Sequence, residues 1–313
     1  MKPPLVLGNS GQDGGSLAQA LLAEGCAVHG TTRDHRAASF AGLERLGIRE
    51  RITLSSLEPA DFAATKAFLE RTPVDEIYNL SGQSSVATSF VDPRGTFESI
   101  ATATLNVLEC LRLLRTPARY YSAGSSEMFG DTPKPADEAT PPRPLSPYGL
   151  AKAAAHHAVT HYREVHGLFA TTGILFNHES PLRPAHFVTQ KIVSTAVRIA
   201  GGSDERLTLG SVDIRRDWGW APDYVDAMRR ILRHGAPDDF VIGTGRSHTL
   251  REFVERAFTL AGLAARDHVD FDPGLLRPAD IMSSESDPAK AERVLGWRAT
   301  RDLDGVIRGL IAG

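Results

Sequence analysis

Cysteine is almost absent from these 313 residues: Cys26 and Cys110 are the only two, and they stand in no metal-binding or redox spacing. A disulfide scaffold is not indicated, and a reducing compartment is expected. No run of 18 apolar residues occurs, so a membrane-spanning helix is not indicated either. Met1-Lys2-Pro3-Pro4 runs directly into Leu5-Val6-Leu7-Gly8 without the apolar core of a secretion signal. A strong excess of one charge is also missing. Thirty-five basic against 38 acidic residues leave a net charge of -3 and a pI of about 6.4, with no like-charge run of the kind that nucleic acids or anionic membranes attract. A cytoplasmic protein acting on a small molecule is expected.

What is present is core material, with 42% hydrophobic and 23% charged residues. Short apolar runs at Pro4-Leu7, Cys26-Thr31, Ile52-Leu54, Glu76-Leu80, Arg119-Ala123 and Ala170-Phe176 alternate with helical patterns near 13–24, 60–70, 95–115 and 148–166. That alternation predicts an α/β fold, a Rossmann-type doubly wound parallel sheet. Such sheets bind ligands at the carboxyl ends of their strands. Six prolines between Asp131 and Pro147 predict an ordered surface loop. Beyond Phe176 the rhythm breaks up, which predicts a smaller interleaved C-terminal lobe. The expected division is 1–176 plus about 213–245 for a dinucleotide domain, and about 177–212 plus 246–313 for a substrate lobe.

Gly8-Asn9-Ser10-Gly11-Gln12-Asp13-Gly14 follows the first strand and precedes the helical pattern Leu17-Ala18-Ala20-Leu21-Leu22. Glycines there let backbone N–H groups approach a pyrophosphate, and let helix and strand pack closely. The other reading is a glycine-rich turn without a ligand. An acidic residue ending the second strand would favour NAD by bonding the ribose 2′-hydroxyl. Thr31-Thr32-Arg33 stands there instead, and Arg33, joined by Arg36, can pair with a 2′-phosphate although Asp34 is close by. NADP is the expected cofactor.

Tyr148 and Lys152 are four residues apart in a helical pattern after Pro147 and so share a face. An ammonium near the cofactor ribose would lower the phenol pKa and make Tyr148 a base toward a substrate hydroxyl. In Ser122-Ala123-Gly124-Ser125-Ser126-Glu127, Ser125 can share a substrate oxygen with Tyr148, and Glu127 can exchange a proton at a neighbouring carbon. Turn-forming serines and a surface carboxylate are the plainer reading of that segment.

These segments, with Asn177-His178-Glu179-Ser180-Pro181, Phe187-Val188-Thr189, Arg216-Asp217-Trp218-Gly219 and Asp287-Pro288-Ala289-Lys290, closely resemble the GDP-mannose 4,6-dehydratase family of extended short-chain dehydrogenases/reductases. The resemblance spans nearly the whole chain. It implies a lyase that uses NADP catalytically to convert GDP-mannose to GDP-4-keto-6-deoxymannose. It implies catalytic roles for Ser125, Glu127, Tyr148 and Lys152. It further implies cofactor contacts from Gly8, Asn9, Ser10, Gly11, Gln12, Asp13, Gly14, Arg33, Ser56, Leu57, Leu80, Ser81, Gly82, Gln83, Ser84, Lys152, His178 and Arg183. Candidates for the nucleotide sugar are Asn177, Glu179, Lys191, Arg216 and Arg277, since a diphosphate needs cations and a sugar needs fixed donors and acceptors.

Three positions depart from the family. Ser56-Leu57 replaces an acidic residue followed by leucine, Gly95 replaces a tyrosine, and the arginine-rich loop is shortened to Arg33–Phe40. The first two imply weaker cofactor contacts, and the third leaves a tetramer open beside the expected homodimer. That dimer would form through apolar faces of the helices near 96–115 and 150–166. His157 and His161 lie one turn apart without a third ligand, so they read as surface or interface residues and no metal is expected. Three alternatives remain at this level. They are a reductase of the 4-keto product, a dehydratase of a GDP-heptose, and a non-catalytic NADP sensor.

Overall fold

The computed structural model describes residues 2–275 and 279–313. Seven strands form one parallel sheet: β1 (Leu5–Leu7), β2 (Val28–Thr32), β3 (Ile52–Ser56), β4 (Glu76–Asn79), β5 (Arg119–Ser125), β6 (Ala170–Leu175) and β7 (Phe240–Ile242). Their spatial order is β7-β6-β5-β4-β1-β2-β3. The chain therefore builds outward from β1 in one direction, returns, and builds outward from β4 in the other. β1 pairs with both β2 and β4, through Leu7↔Thr31 and Leu7↔Asn79. The crevice at this reversal is where doubly wound folds take ligands. Six of the strands lie where the apolar runs predict them. The seventh, Phe240-Val241-Ile242, is three residues long and was not expected, since its strand character comes from pairing with β6.

Helices cover both faces, so the central strands are buried on both sides, as every residue of β6 is. The helix Gln12–Ala23 and the helix Ala221–Arg233 share one core with the sheet, containing Leu17, Leu21, Tyr224, Met228 and Ile231. Val107, Leu111, Tyr120 and Val159 fill the opposite face. The predicted helix near 95–115 is divided by a wider π-helical turn at Glu98–Thr102, and its last segment, Ala103–Leu114, stops at Arg115 in the left-handed conformation (φ 50°).

A separate cluster of buried apolar side chains, including Ile192, Val193, Trp218, Trp220, Phe253, Phe258 and Ile307, brings together helices Val188–Ala200, Leu250–Leu260 and Leu303–Ala312. The proline-rich loop is docked against this C-terminal half. Ala136 exchanges backbone bonds with Glu285 and Asp287, and Asp131 accepts from the Met282 and Ser283 N–H groups. Behind β6, Arg163 forks onto Asp239 at 2.8 and 2.7 Å while Asp239 also accepts the Thr172 N–H. Burial opposes that carboxylate's charge, but Arg163 outweighs it and holds the pKa below its usual value. This pair anchors the sheet edge on which β7 sits.

Candidate active site

The turn after β1 shows why glycine is needed there. Gly8 has φ +86°, and a Cβ on it would lie 2.7 Å from the Leu80 carbonyl oxygen, while a Cβ on Gly14 would lie 2.5 Å from the Gly8 oxygen. Side chains would thus force apart β1, the segment after β4 and the first helix. Asn9 is fully buried and bonds the Gly14 carbonyl through Nδ2 at 2.8 Å, while its Oδ1 has no hydrogen-bond partner among the described residues. The helix starting at Gln12 has glycine, Gly11, at its N-cap and no side-chain cap. Its first-turn N–H groups and partial positive charge suit an anion. The residues present thus fit the diphosphate of a dinucleotide.

Farther along the strand ends, a cleft of about 460 Å³ opens. β5 delivers Ser125 to its wall, and the single helical turn Ser126–Met128 carries Glu127 into it. Tyr148 and Lys152 come from helix Pro147–His166. Ser146 caps this helix by accepting the Gly149 N–H at 3.0 Å, and proline occupies its first turn, where its missing N–H costs nothing. The spacing of four therefore places phenol and ammonium on the cleft side, where both are largely buried.

Their charges differ from the expected pattern. Burial pushes the Tyr148 phenol up to about 12; a hydrogen bond with Ser125 and the charge of Arg183 pull it down, while Glu127 and Asp13 add to the rise. Burial pushes Lys152 down to about 8, with the Asp13 charge opposing, and its Nζ donates to the Ala123 carbonyl at 2.7 Å. Lys152 sits 5.7 Å from the Tyr148 ring centre. The Arg183 charge is among the groups that pull the phenol down against its burial.

The same cleft collects Asp13, Leu80 to Ser84, Asn177, His178, Glu179, Arg183, Lys191 and Arg216. Several are already bonded within the protein. Arg216 is buried and donates to Arg215, Ile281 and Asp280, Lys191 Nζ donates to the Thr208 carbonyl, and Glu179 accepts from Thr189 and faces Arg183. Gln83 spends its side-chain amide on Ser85 and Thr96. Arg33, Ser56 and Leu57 lie apart from this cleft, at the ends of β2 and β3, where the Ser56 hydroxyl meets the His35 ring and N–H. Arg277 lies outside the described residues. The cleft also holds residues that sequence reasoning did not single out, among them His186 and Thr208. Thr208 arrives on a separate short strand, Leu207–Leu209, and carries no local signal.

Comparison with known proteins gives this arrangement its context. The profile of the family described as GDP-mannose 4,6 dehydratase matches residues 5–310. The chain belongs to the GDP-mannose 4,6-dehydratase family. A relative named GDP-mannose 4,6 dehydratase 1 from Arabidopsis thaliana is 39% identical over 320 residues, covering 99% of this chain and 89% of its own length. The Homo sapiens GDP-mannose 4,6 dehydratase is 35% identical, over 98% of this chain and 90% of its own. Among solved structures, a Thermus thermophilus UDP-glucose 4-epimerase in complex with NAD shares the fold. Its TM-score is 0.85, with 24% identity over 99% of this chain and 98% of that one.

Proposed function

We propose that this protein converts GDP-mannose to GDP-4-keto-6-deoxymannose, holding NADP as a cofactor that ends each turnover unchanged. The observation that carries the reading is that Ser125, Glu127, Tyr148 and Lys152 line one cleft with Asp13 of the glycine-rich turn, in a chain whose family is named for this reaction. Backbone N–H groups around Gly11 to Gly14, with Lys152 and Arg183, hold the dinucleotide, and His178 stands behind Asp13 of the same turn. When bound, the nicotinamide supplies the hydride acceptor and donor for carbons C4 and C6. Tyr148, as phenolate, removes the proton of the 4-hydroxyl, and Ser125 holds the same oxygen. The ketone so formed acidifies the neighbouring C5–H, and Glu127 takes that proton as hydroxide leaves C6 with acid assistance. Asn177, Glu179, Lys191 and Arg216 orient the nucleotide sugar.

The sheet with its two helical layers forms the dinucleotide-binding part, 1–176 plus about 213–245, and the remainder forms the sugar-binding lobe. The separate core of helices Val188–Ala200, Leu250–Leu260 and Leu303–Ala312 supports a second lobe, and Ile214, Trp218 and Trp220 tie that lobe to the segment 213–245. A homodimer is supported by the exposed Leu105 and Leu113 of helix Ala103–Leu114 and the exposed Leu150 and Val165 of helix Pro147–His166. Among the described residues no helix is long and apolar enough to cross a membrane, which fits a cytoplasmic enzyme.

Substrate deuterated at C4 tests the reaction. The label should appear at C6 of the product in the same molecule, with one solvent proton at C5 and no net NADPH. A protein that leaves GDP-mannose untouched and oxidises added NADPH only with the 4-keto sugar is a reductase, and the proposal fails. The cofactor preference has its own test. Arg33 is exposed, with no partner among the described residues, at the end of β2. Arg33→Ala should weaken NADP binding by about tenfold and NAD binding far less, since only NADP carries the phosphate that a guanidinium pairs with. Equal losses for both, measured by calorimetry, would remove Arg33 from that role.

A further inference from the structure

The glycine-rich turn and the segment after β6 are interlocked by buried polar contacts. His178 Nδ1 faces the Phe176 carbonyl at 2.7 Å and Nε2 faces Asp13 Oδ2 at 2.9 Å. Both neighbours are acceptors, so the ring satisfies both only as an imidazolium with two N–H groups. The ring is buried and stacked on Tyr224 at 4.5 Å between centres. Beside it, Gln12 donates to Asp13 Oδ1 and to the His178 carbonyl, both at 3.2 Å, and accepts from Ser180 at 2.9 Å. Burial opposes both charges, yet each partner overcomes that cost: Asp13 is held below the usual carboxylate range and His178 above the usual imidazole value.

Asp13 has no evident reason to be acidic on the cofactor's account. It stands in the first turn of the helix whose N-terminus suits an anion, and it lines the cleft. A bare carboxylate there would repel a diphosphate and cancel part of the helix's positive end. We infer that His178 is a charge-compensating positioning residue, which neutralises Asp13 and turns it from a repeller of the dinucleotide into a latch fixing the glycine-rich turn to the segment after β6. The inference rests on the dinucleotide reading above. Arg183 is the other cation acting on Asp13, but its guanidinium is stacked on Phe187 at 3.7 Å and faces Glu179 at 3.5 Å. It shares its charge among partners.

Calorimetric titration of NADP into the parent protein, His178→Gln, Asp13→Asn and the double variant tests this, at about 0.05 M and about 0.5 M salt. His178→Gln keeps a donor but loses the charge, and it should weaken binding by about tenfold at low salt, with the loss shrinking at high salt. Asp13→Asn should bind within about threefold of the parent or tighter, and the double variant should recover most of the affinity that His178→Gln lost. A merely structural histidine would show neither rescue nor salt dependence. A double variant as weak as His178→Gln, or a His178→Gln protein that binds like the parent, overturns the inference. If His178→Gln fails to fold, Asp13→Asn decides alone, because a tenfold loss there would make Asp13 itself a ligand-holding group. A parent protein that binds no dinucleotide would overturn the cofactor reading as well, and it is the only outcome that reaches it.

Discussion

Tyr148→Phe should lower turnover by about three powers of ten while leaving NADP affinity within about threefold. The phenol oxygen is the group proposed to take the substrate proton, whereas the ring's burial and packing survive the change. The starting point for that chemistry is unfavourable, because burial has pushed the phenol to about 12. A base with so high a pKa is rarely deprotonated near neutrality. Raising the pH increases the deprotonated fraction, so the parent rate should climb from about pH 6 to about pH 9, and the slope should vanish in Tyr148→Phe. A variant retaining more than a tenth of the parent rate, or keeping the same pH slope, would take Tyr148 out of the role.

Glu127→Gln should separate the two halves of the reaction. The amide keeps the size of the side chain but cannot accept the C5 proton, so elimination should slow by at least about a thousandfold while the 4-hydroxyl is still oxidised. In a single turnover with GDP-mannose, reduced-nicotinamide absorbance should rise slowly and persist, and no 6-deoxy product should form. The parent should show no lasting signal. Glu127 enters the cleft from the one turn of helix after β5, and its backbone N–H is tied to the Ser125 hydroxyl at 3.3 Å. The substitution therefore leaves its attachment intact. Full dehydration by the variant would move the C5 proton transfer to another residue.

The sequence alone determined the sheet, the position of the glycine-rich turn, and the pairing of Tyr148 with Lys152 on one helical face. Each depends on short-range periodicity: strands that are buried on both sides read as apolar runs, and a spacing of four is one helical turn. The exception, β7, shows the limit, because three residues carry no period and become a strand only by lying beside β6. The tertiary structure decided the rest. It bound Arg216 to Asp280 and Ile281, and by burial it raised the Tyr148 phenol and lowered the Lys152 ammonium. It also joined Asp13 to His178 across 165 positions of chain. Hydrogen bonds, charge and desolvation act through distance in space, and no local pattern encodes a neighbour that the chain reaches only after folding.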